Sequence, residues 1–328
     1  MSVRVRPAGR LPVSAPARRR GGSANSGEDG VLHGLCALAV LLMLAVMLEI
    51  VYQVFSGAGS AFSKFGFGFL GHSAWEPNFG VFGAAVMIFG TVLSSAMALA
   101  IATPLGIAVA FYLAMLAPGR VRSVIGPLVE MLAAIPSVIV GFWGILVLAP
   151  FVQRHLEPWL HGALGFIPLF GAPQTIGSGV FTAGIILTIM ILPIIASLSR
   201  DLFLTVPREL REGAEALGAT RWETVRGVVL PTTAPGVIAA ALLGLGRALG
   251  EAIAVTQVIG AGNAIHGSLF ETGDTIASRI ADQFSGSAGL YRSSMFYLAA
   301  ILLVIGLVTN LLAQRISRRF THQFTIAR

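Results

Sequence analysis

Long apolar segments decide what this chain can fold into. Its sequence holds several almost uncharged runs of about 20 residues, each long enough to cross the hydrocarbon core of a bilayer as a helix. Of its residues, 55% are hydrophobic and only 11% are charged, whereas a soluble domain carries about 25% charged residues. We therefore predict an all-α, polytopic membrane protein with six transmembrane helices. The predicted spans are about 31–55, 80–117, 125–151, 178–199, 233–259 and 293–314.

Three connecting segments carry signals of their own. The Phe and Trp residues of 56–79 suit a stretch at the membrane interface. Residues 152–177 are predicted to form a loop. In the segment 260–292, the spacing of four between Ile276, Ile280 and Phe284 predicts one apolar face of a short helix.

Basic residues predict how these spans are oriented. Arginines cluster at the two termini and in the segments after the second and fourth spans, while the other connecting segments hold few cations. Lys and Arg are enriched in cytoplasmic loops, so both termini are predicted to lie in the cytoplasm. The same distribution accounts for the net charge of +7, and no nucleic-acid partner is expected. Arginines predicted to lie inside include Arg18, Arg19, Arg20, Arg120, Arg122, Arg200, Arg208, Arg211, Arg221, Arg226, Arg315, Arg318 and Arg319.

Composition also divides the chain into three parts. Residues 1–30 are rich in Arg, Pro, Gly and Ser, which is typical of a disordered segment. We predict a disordered, basic cytoplasmic tail at 1–30, a transmembrane domain at 31–319 and a cytoplasmic C-terminal tail at 320–328.

A polar stretch at 205–231 lies between the fourth and fifth spans and reads as two short helices. Thr205 is predicted to cap the first helix, and Pro207 suits its first turn, where a missing N–H costs nothing. Gly218 is predicted to end that helix in the left-handed conformation that glycine adopts without strain.

The second helix of this stretch has its own start signal. Thr220 and Glu223 stand three residues apart, which is the spacing of a capping box in which each side chain satisfies the other's backbone N–H. Pro231 is expected to limit this helix. A polar helix-turn-helix tethered between two spans cannot lie on DNA, so it indicates a docking element for a soluble partner.

The same stretch resembles the EAA loop of ABC importer permeases. The family pattern is E-A-A-x3-G-x9-I-x-L-P, and this chain departs from it at Gly213, in place of the first Ala, and at Val228, in place of Ile. The resemblance implies a type I ABC importer permease fold and contact of the loop with an ABC ATPase subunit. The positions that match are Glu212, Ala214, Gly218, Leu230 and Pro231.

Two charges lie deep within the fifth predicted span. Arg247 and Glu251 are four residues apart, so a continuous helix would place them on one face, where they can pair. A charge at the centre of a membrane helix costs about 2.5–3.5 kcal/mol on insertion scales. One interpretation is a structural ion pair. The other is a substrate path, because arginine offers a planar fork of donors to an oxyanion and remains charged in a dry site.

The segment around these charges sharpens the resemblance. Arg-Ala-Leu-Gly-Glu-Ala at 247–252 is similar to the phosphate importer permeases, which carry an Arg and a Glu four residues apart at this place. Further matches favour the PstC type over its PstA-type partner, and together the resemblance covers about residues 35–315. These matches are 104–108, 135–142, 268–270 and 274–278.

The resemblance implies a subunit of an ATP-driven importer of inorganic phosphate. Such an importer combines two permease subunits, here with a PstA-type second permease, two ATPase subunits and an extracytoplasmic phosphate-binding protein, which would dock on the outer segments 56–79 and 260–292. It lies in the plasma membrane of a prokaryote, or the inner membrane of a Gram-negative cell. The alternative is an importer of another oxyanion, such as sulfate, molybdate or phosphonate.

Catalysis by the chain itself is not expected. A phosphate-binding P-loop needs a Gly-Lys-Ser/Thr sequence, and the only lysine, Lys64, is followed by Phe65. His155 and His161 are six residues apart, and neither this spacing nor further ligands support a closed metal site. We predict a protein that is not an enzyme and needs no cofactor.

Overall fold

The computed structural model describes the backbone of residues 26–325 and the side chains of residues 30–315. This part of the chain is mostly helical. Its β-structure is an isolated antiparallel bridge between Glu76 and Val81. Its α-helices are α1 (Ser26–Gly57), α2 (Gly59–Phe65), α3 (Gly68–Gly71), α4 (Ala85–Phe111), α5 (Gly119–Ala133), α6 (Ser137–Trp143), α7 (Ala149–Phe151), α8 (Glu157–Leu164), α9 (Val180–Thr205), α10 (Arg208–Ala216), α11 (Arg221–Thr224), α12 (Leu230–Gly250), α13 (Ile253–Val258), α14 (Ile276–Gln283) and α15 (Gly289–Thr325).

Six helical segments in the described part of the chain are long and apolar enough to cross a membrane, as predicted. The chain is therefore a multi-pass membrane protein. Helix α1 already begins at Ser26, so the predicted tail at 1–30 falls mostly outside the described residues. At the other end, α15 continues to Thr325, into the predicted C-terminal tail. The membrane segments are Gly30–Gly57, Ala85–Leu116, Ser137–Leu164, Val180–Thr205, Arg221–Gly250 and Gly289–Arg315.

The third and fifth predicted spans are misplaced. The prediction of a third span at 125–151 is wrong, because α5 ends at Ala133 and the chain breaks before Pro136, so that the membrane segment begins at Ser137. The predicted loop at 152–177 consequently starts later, and His155 lies on the helix. The fifth span starts earlier than predicted and ends at Gly250 rather than 259.

Four π-helical turns interrupt the long helices, and each ends two residues before a proline. A proline has no N–H to donate, and its ring collides with the carbonyl four residues earlier in an α-helix. At Pro150, Pro158 and Pro231, a wider π turn ahead of the proline relieves that collision and the helical path continues through it, whereas the π turn before Pro118 ends its helical segment. The π turns are Tyr112–Leu116, Gly144–Leu148, Val152–Leu156 and Val225–Val229, ahead of Pro118, Pro150, Pro158 and Pro231.

Helix α1 is apolar on every side. All its described side chains from residue 30 to 52 are exposed, and none of its most hydrophobic stretch is buried by protein. A helix that is hydrophobic all round needs an apolar environment, which for this segment is the lipid.

The core of the remaining chain is the packing of α4 against α9. Small residues bring the two helices together: Ala98 and Ala102 are fully buried, and a Cβ atom on Gly106 would lie 2.9 Å from Ile195 Cγ2. Close approach through small residues is the usual way in which membrane helices pack, because lipid offers no hydrophobic drive for their association.

Aromatic residues from the first connecting segment form a second core. The prediction placed the Phe and Trp residues of 56–79 at the membrane interface, but Phe69 is 1% exposed and Trp75 4% exposed. Phe69 stacks on Tyr297 of α15 with ring centroids 4.5 Å apart. These rings therefore fix α2, α3 and the following loop to α15.

Candidate functional site: the coupling loop and the cavity at Arg247

The 205–231 stretch folds into the predicted pair of short helices. Helix α10 ends at Ala216, and Gly218 follows with φ of +87°, the left-handed conformation that the prediction assigned to it. The Ala219 N–H donates to the carbonyl of Ala214 at 3.1 Å, which closes the turn. Thr220 and Glu223 form the predicted capping box and start α11.

Three details of the loop differ from the prediction. Thr205 is the last residue of α9, where its hydroxyl donates to the Leu202 carbonyl at 2.7 Å, and it does not cap α10. Pro207 is the residue before α10 rather than within its first turn. Pro231 does not limit the second helix, because the preceding π turn lets the helix continue as α12.

The outward surface of the loop is a mixture of charged and large apolar side chains. Glu212 is exposed, and so are Leu217, at 92%, and Trp222, at 60%. Soluble surfaces rarely leave such side chains uncovered together, and a contiguous apolar patch marks a protein contact. Sequence reasoning missed Leu217 and Trp222, although an apolar residue at a helix end within a polar stretch is a detectable signal.

The loop rests on a small apolar cluster. Phe203 and Val206 at the end of α9 pack with Val225 and Val229 of the second helix and with Ala114 at the end of α4. Leu230 lies partly buried against the same cluster, and Pro231 is partly buried next to it. The loop is thus attached to the ends of α4 and α9 through close packing rather than through its exposed charges.

Beside this cluster lies a cleft of about 380 Å³. Its charged rim is mixed in sign, and its floor is apolar. It presents both donors and acceptors to a partner that covers the loop. The lining includes Arg208, Arg211, Glu212, Glu215 and Arg221 on the rim, and Phe111, Met115 and Val225 on the floor.

Arg247 and Glu251 do not share a helix. Helix α12 ends at Gly250, and Glu251 has extended backbone angles, with φ of −72° and ψ of 116°. Glu251 Oε1 instead accepts from the Ala254 N–H at 3.3 Å, at the start of α13. Both side chains lie in the described part of the chain, and no ion pair joins them, so the expectation that they pair through helical spacing is wrong.

Arg247 lines a cavity of about 810 Å³ between α9, α12 and α15. Its guanidinium is exposed to this space, and Thr309, Asn310 and Gln314 of α15 line the same cavity. Arg247 and these three residues are the polar part of a lining that is otherwise apolar, and a permanent cation beside amide and hydroxyl groups can bind an oxyanion. Glu251 is not among the residues that line it. Asn310 and Gln314 were missed, although amides four residues apart in an apolar span are a readable signal.

At the other end of the bundle, a buried ion pair organises the 260–292 segment. Arg279 Nε lies 2.5 Å from Asp274 Oδ2, and both side chains are almost fully buried. The Arg279 guanidinium also donates to Asn263 Oδ1 at 2.6 Å and lies over the Trp75 ring at 5.7 Å. Burial raises the pKa of Asp274 above its ordinary value, and the charge of Arg279 opposes that shift.

The same segment contains a second capping box. Thr275 and Ser278 satisfy each other at the start of α14, whose apolar face was predicted from Ile276 and Ile280. The backbone N–H of Ile276 donates to Thr91 Oγ1 of α4 at 2.9 Å. This helix is therefore fixed to the membrane core at its first turn.

Comparisons with known proteins place this geometry in a family. Residues 102–322 match the model of the binding-protein-dependent transport system inner membrane components. The chain is 45% identical over 282 residues to the phosphate transport system permease protein PstC of Mesorhizobium japonicum, which covers 84% of this chain and 86% of that protein. It is 45% identical over 290 residues to the PstC of Pasteurella multocida, covering 85% and 88%.

A solved structure agrees with the fold. The crystal structure of a bacterial ABC transporter that imports the acidic polysaccharide alginate has a chain that is 20% identical, with a TM-score of 0.59, covering 89% of this chain and 98% of that one. The family consists of transport components, so the chain is a transporter subunit and not an enzyme. By its match to the family model and its likeness to these relatives, the chain belongs to the binding-protein-dependent transport system inner membrane components, among the PstC-type permeases of ABC importers.

Proposed function

We propose that this chain is a permease subunit of an ATP-driven importer of inorganic phosphate. The observation that carries the proposal is its 45% identity, over 84% of its length, to a permease named for phosphate transport. The chemistry of the Arg247 cavity supports it, since a guanidinium beside amide and hydroxyl donors suits a tetrahedral oxyanion.

In this proposal a second permease subunit of the PstA type completes the translocation path, of which α9, α12 and α15 of this chain line one side at Arg247. Arg247 receives phosphate as it passes through the path. Glu251 stabilises the break between α12 and α13, where its carboxylate accepts a hydrogen bond from the Ala254 N–H at the start of α13.

The coupling loop is proposed to dock on an ABC ATPase subunit in the cytoplasm. Glu212, Ala214 and Gly218 shape its first helix and turn, and Leu230 and Pro231 join it to α12. The exposed Leu217 and Trp222 supply apolar contact area for that partner. The arginine distribution supports a cytoplasmic loop and cytoplasmic termini in a prokaryotic plasma membrane, which is the inner membrane of a Gram-negative cell.

The opposite face, with α14 and the segment 56–79, is proposed to receive an extracytoplasmic phosphate-binding protein. Its buried ion pair and aromatic cluster hold a fixed surface for that partner. The partition into a basic tail at 1–30, a permease domain at 31–319 and a C-terminal tail at 320–328 belongs to the same proposal.

Uptake of labelled phosphate tests the substrate. Cells that lack this chain receive the parent, Arg247→Gln, Arg247→Lys or the control Arg120→Gln, with sulfate, molybdate and phosphonate as competitors. Loss of a charge-assisted contact is expected to lower phosphate uptake about 10- to 100-fold in Arg247→Gln, less in Arg247→Lys, and not in the control. Uptake of another oxyanion by the parent would contradict the phosphate assignment and leave the importer class intact.

Pull-down of the ATPase subunit tests the loop. Gly218→Pro cannot adopt a φ of +87°, so it is expected to lose the ATPase while still inserting in the membrane. The matched control is Gly213→Ala, where the added Cβ meets nothing within 4 Å. Normal ATPase capture by Gly218→Pro would contradict the docking proposal.

A further inference from the structure

Helix α5 is a separate arm beside the coupling loop. A break at 134–136 separates α5 from the next membrane segment, because Pro136 lacks the N–H that would continue the helix. Its main packing partners are α9 and the π turn at the end of α4. Its other face leaves Val124, Leu128 and Met131 more than half exposed.

Two arginines attach this arm to its neighbours. Arg122, in the first turn of α5, donates from Nε to the Leu113 carbonyl and from Nη2 to the Ala114 carbonyl, each at 2.8 Å. Arg200 of α9 donates from Nη2 to Glu130 Oε1 at 2.7 Å, near the end of α5. Because Arg200 also contacts Asp201 at 2.8 Å, its guanidinium is held from its own helix as well.

Between these two contacts, α5 and α9 pack closely around the Arg200 side chain. Gly126 of α5 is buried against α9, and a Cβ atom there would lie 2.8 Å from Arg200 Nη1. The Arg200 side chain is 15% exposed, whereas Glu130 is 53% exposed. A half-exposed pair of this kind adds little to stability, so its position calls for another explanation.

Arg200 stands close to the coupling loop in both sequence and space. Helix α9 ends at Thr205 and α10 begins at Arg208, with Phe203 and Val206 packed into the cluster on which the loop rests. The end of α9 and the loop therefore belong to one packed cluster. Arg122 ties α5 to the end of α4, which belongs to the same cluster through Ala114.

We propose that Arg200 is a positioning residue for transport: through Glu130 it makes α5 move with the end of α9, so that movement of the coupling loop reaches the membrane segment that begins at Ser137. The break at 134–136 is the point at which this movement is passed on. The inference rests on the proposed function, because it presumes that the 205–231 loop couples ATP hydrolysis to import.

The test compares transport with ATP hydrolysis in the complete importer. Purified permease pair, ATPase and binding protein are reconstituted in liposomes, and uptake of inorganic phosphate is measured in parallel with ATP hydrolysis. Arg200→Gln and Glu130→Gln are each expected to lower phosphate imported per ATP about threefold to tenfold, while hydrolysis continues. The reversed pair, Arg200→Glu with Glu130→Arg, is expected to recover most of the ratio.

The matched control is Arg120→Gln, which removes a charge from the same helix. Arg120 is exposed, and its guanidinium has no partner among the described residues. It is expected to leave the ratio unchanged. Gly126→Ala adds a second, milder perturbation, because its Cβ displaces the flexible end of Arg200, and it is expected to lower the ratio by less than Arg200→Gln does.

Either of two results overturns the role of Arg200. Import and hydrolysis that fall in proportion would make the pair merely structural, and an unchanged ratio in Glu130→Gln, whose half-exposed site tolerates the change, would remove the role altogether. The parent complex separates this from the proposed function: a parent that imports no phosphate contradicts the proposed function, whereas a parent that does so beside fully coupled variants contradicts only this inference.

Discussion

Each end of the segment Ala85–Leu116 lies near a capping box and an ion pair, which are buried at one end of the segment and more exposed at the other. This segment has 32 residues and is about 48 Å long at 1.5 Å per residue. Near its start, Thr91 Oγ1 accepts from the Ile276 N–H, which directly follows the capping-box residue Thr275 and the buried pair's Asp274. Near its end, the Leu113 and Ala114 carbonyls accept from Arg122 of α5, the helix that also carries Glu130 of the half-exposed pair Arg200–Glu130. The exposed capping box at Thr220 starts the helix whose Val225 packs in one cluster with Ala114.

The difference in burial indicates how firmly each end is held. A buried ion pair is expensive to break, because the charge that remains is left without water, so the Asp274–Arg279 end is fixed. A half-exposed pair can part at little cost, since water replaces each partner. The Arg200–Glu130 pair therefore adds little to the stability of its end, so its loss is expected to alter coupling rather than folding.

Removal of Arg279 should have the largest effect. Arg279→Gln leaves the Asp274 carboxylate buried without its partner and is expected to lower the free energy of unfolding by about 3–5 kcal/mol. The measurement is thermal unfolding of the purified chain in detergent. The control is the double variant Asp274→Asn with Arg279→Gln, which leaves no buried charge and should regain most of the loss. A single variant as stable as the parent would erase the contrast between the two ends.

Acid should partly repair that variant. Burial already raises the pKa of Asp274, and the charge of Arg279 is the largest influence that lowers it, so the pKa rises further in Arg279→Gln. A carboxyl with a raised folded-state pKa adds stability below its unfolded pKa and loses it as the pH rises through the folded pKa. The deficit should therefore shrink as the pH falls, for example between unfolding measured at about pH 7.5 and at about pH 5.

Unfolding curves at both pH values check this. The double variant has no carboxylate at position 274. Its stability relative to the parent should therefore not recover in acid as that of Arg279→Gln does. A deficit of Arg279→Gln that grows on acidification would mean that Asp274 is not the group left unpaired.

The local features of both ends were readable from sequence, and their packing was not. The Thr220–Glu223 box, the left-handed Gly218 and the helix at 276–283 each depend on a few neighbouring residues, and all three are confirmed. By contrast, the burial of Trp75 depends on Tyr291 and on Gln283, which is 208 residues away in the chain. No short window of sequence contains both sides of such a contact.

Two breaks between helices were also not predicted from the sequence. Apolar composition continues through 134–136 and through Gly250, so hydropathy alone merges α5 with α6 and α12 with α13. Pro136 is compatible with either a kink or a start, and only packing of α5 on α9 decides between them. For the same reason the pairing of Arg247 with Glu251 was wrong, because it presumed a continuous helix, while the presence of an arginine deep in the fifth span needed no such assumption.

The two capping boxes give a smaller contrast. Thr275→Ala removes a cap in a buried site, where water cannot replace the lost hydrogen bonds, and is expected to cost about 1–2 kcal/mol; Thr220→Ala, in an exposed site, should cost about 0.5–1 kcal/mol. Unfolding in detergent measures both, with Thr→Ser at each position as the control that keeps the hydroxyl. Equal costs would show that burial does not distinguish the two ends.

The smallest stability change is expected at the exposed pair. Glu130→Gln should alter the free energy of unfolding by only about 0.2–1 kcal/mol, because Glu130 is 53% exposed and water takes the place of its partner. The same unfolding measurement checks this, with Arg120→Gln as the control on the same helix. A cost near that of Arg279→Gln would show that the Arg200–Glu130 pair holds the bundle together as firmly as the buried pair does. The comparison would then fail at the exposed end, and a change in phosphate imported per ATP by this variant could no longer be distinguished from a loss of stability.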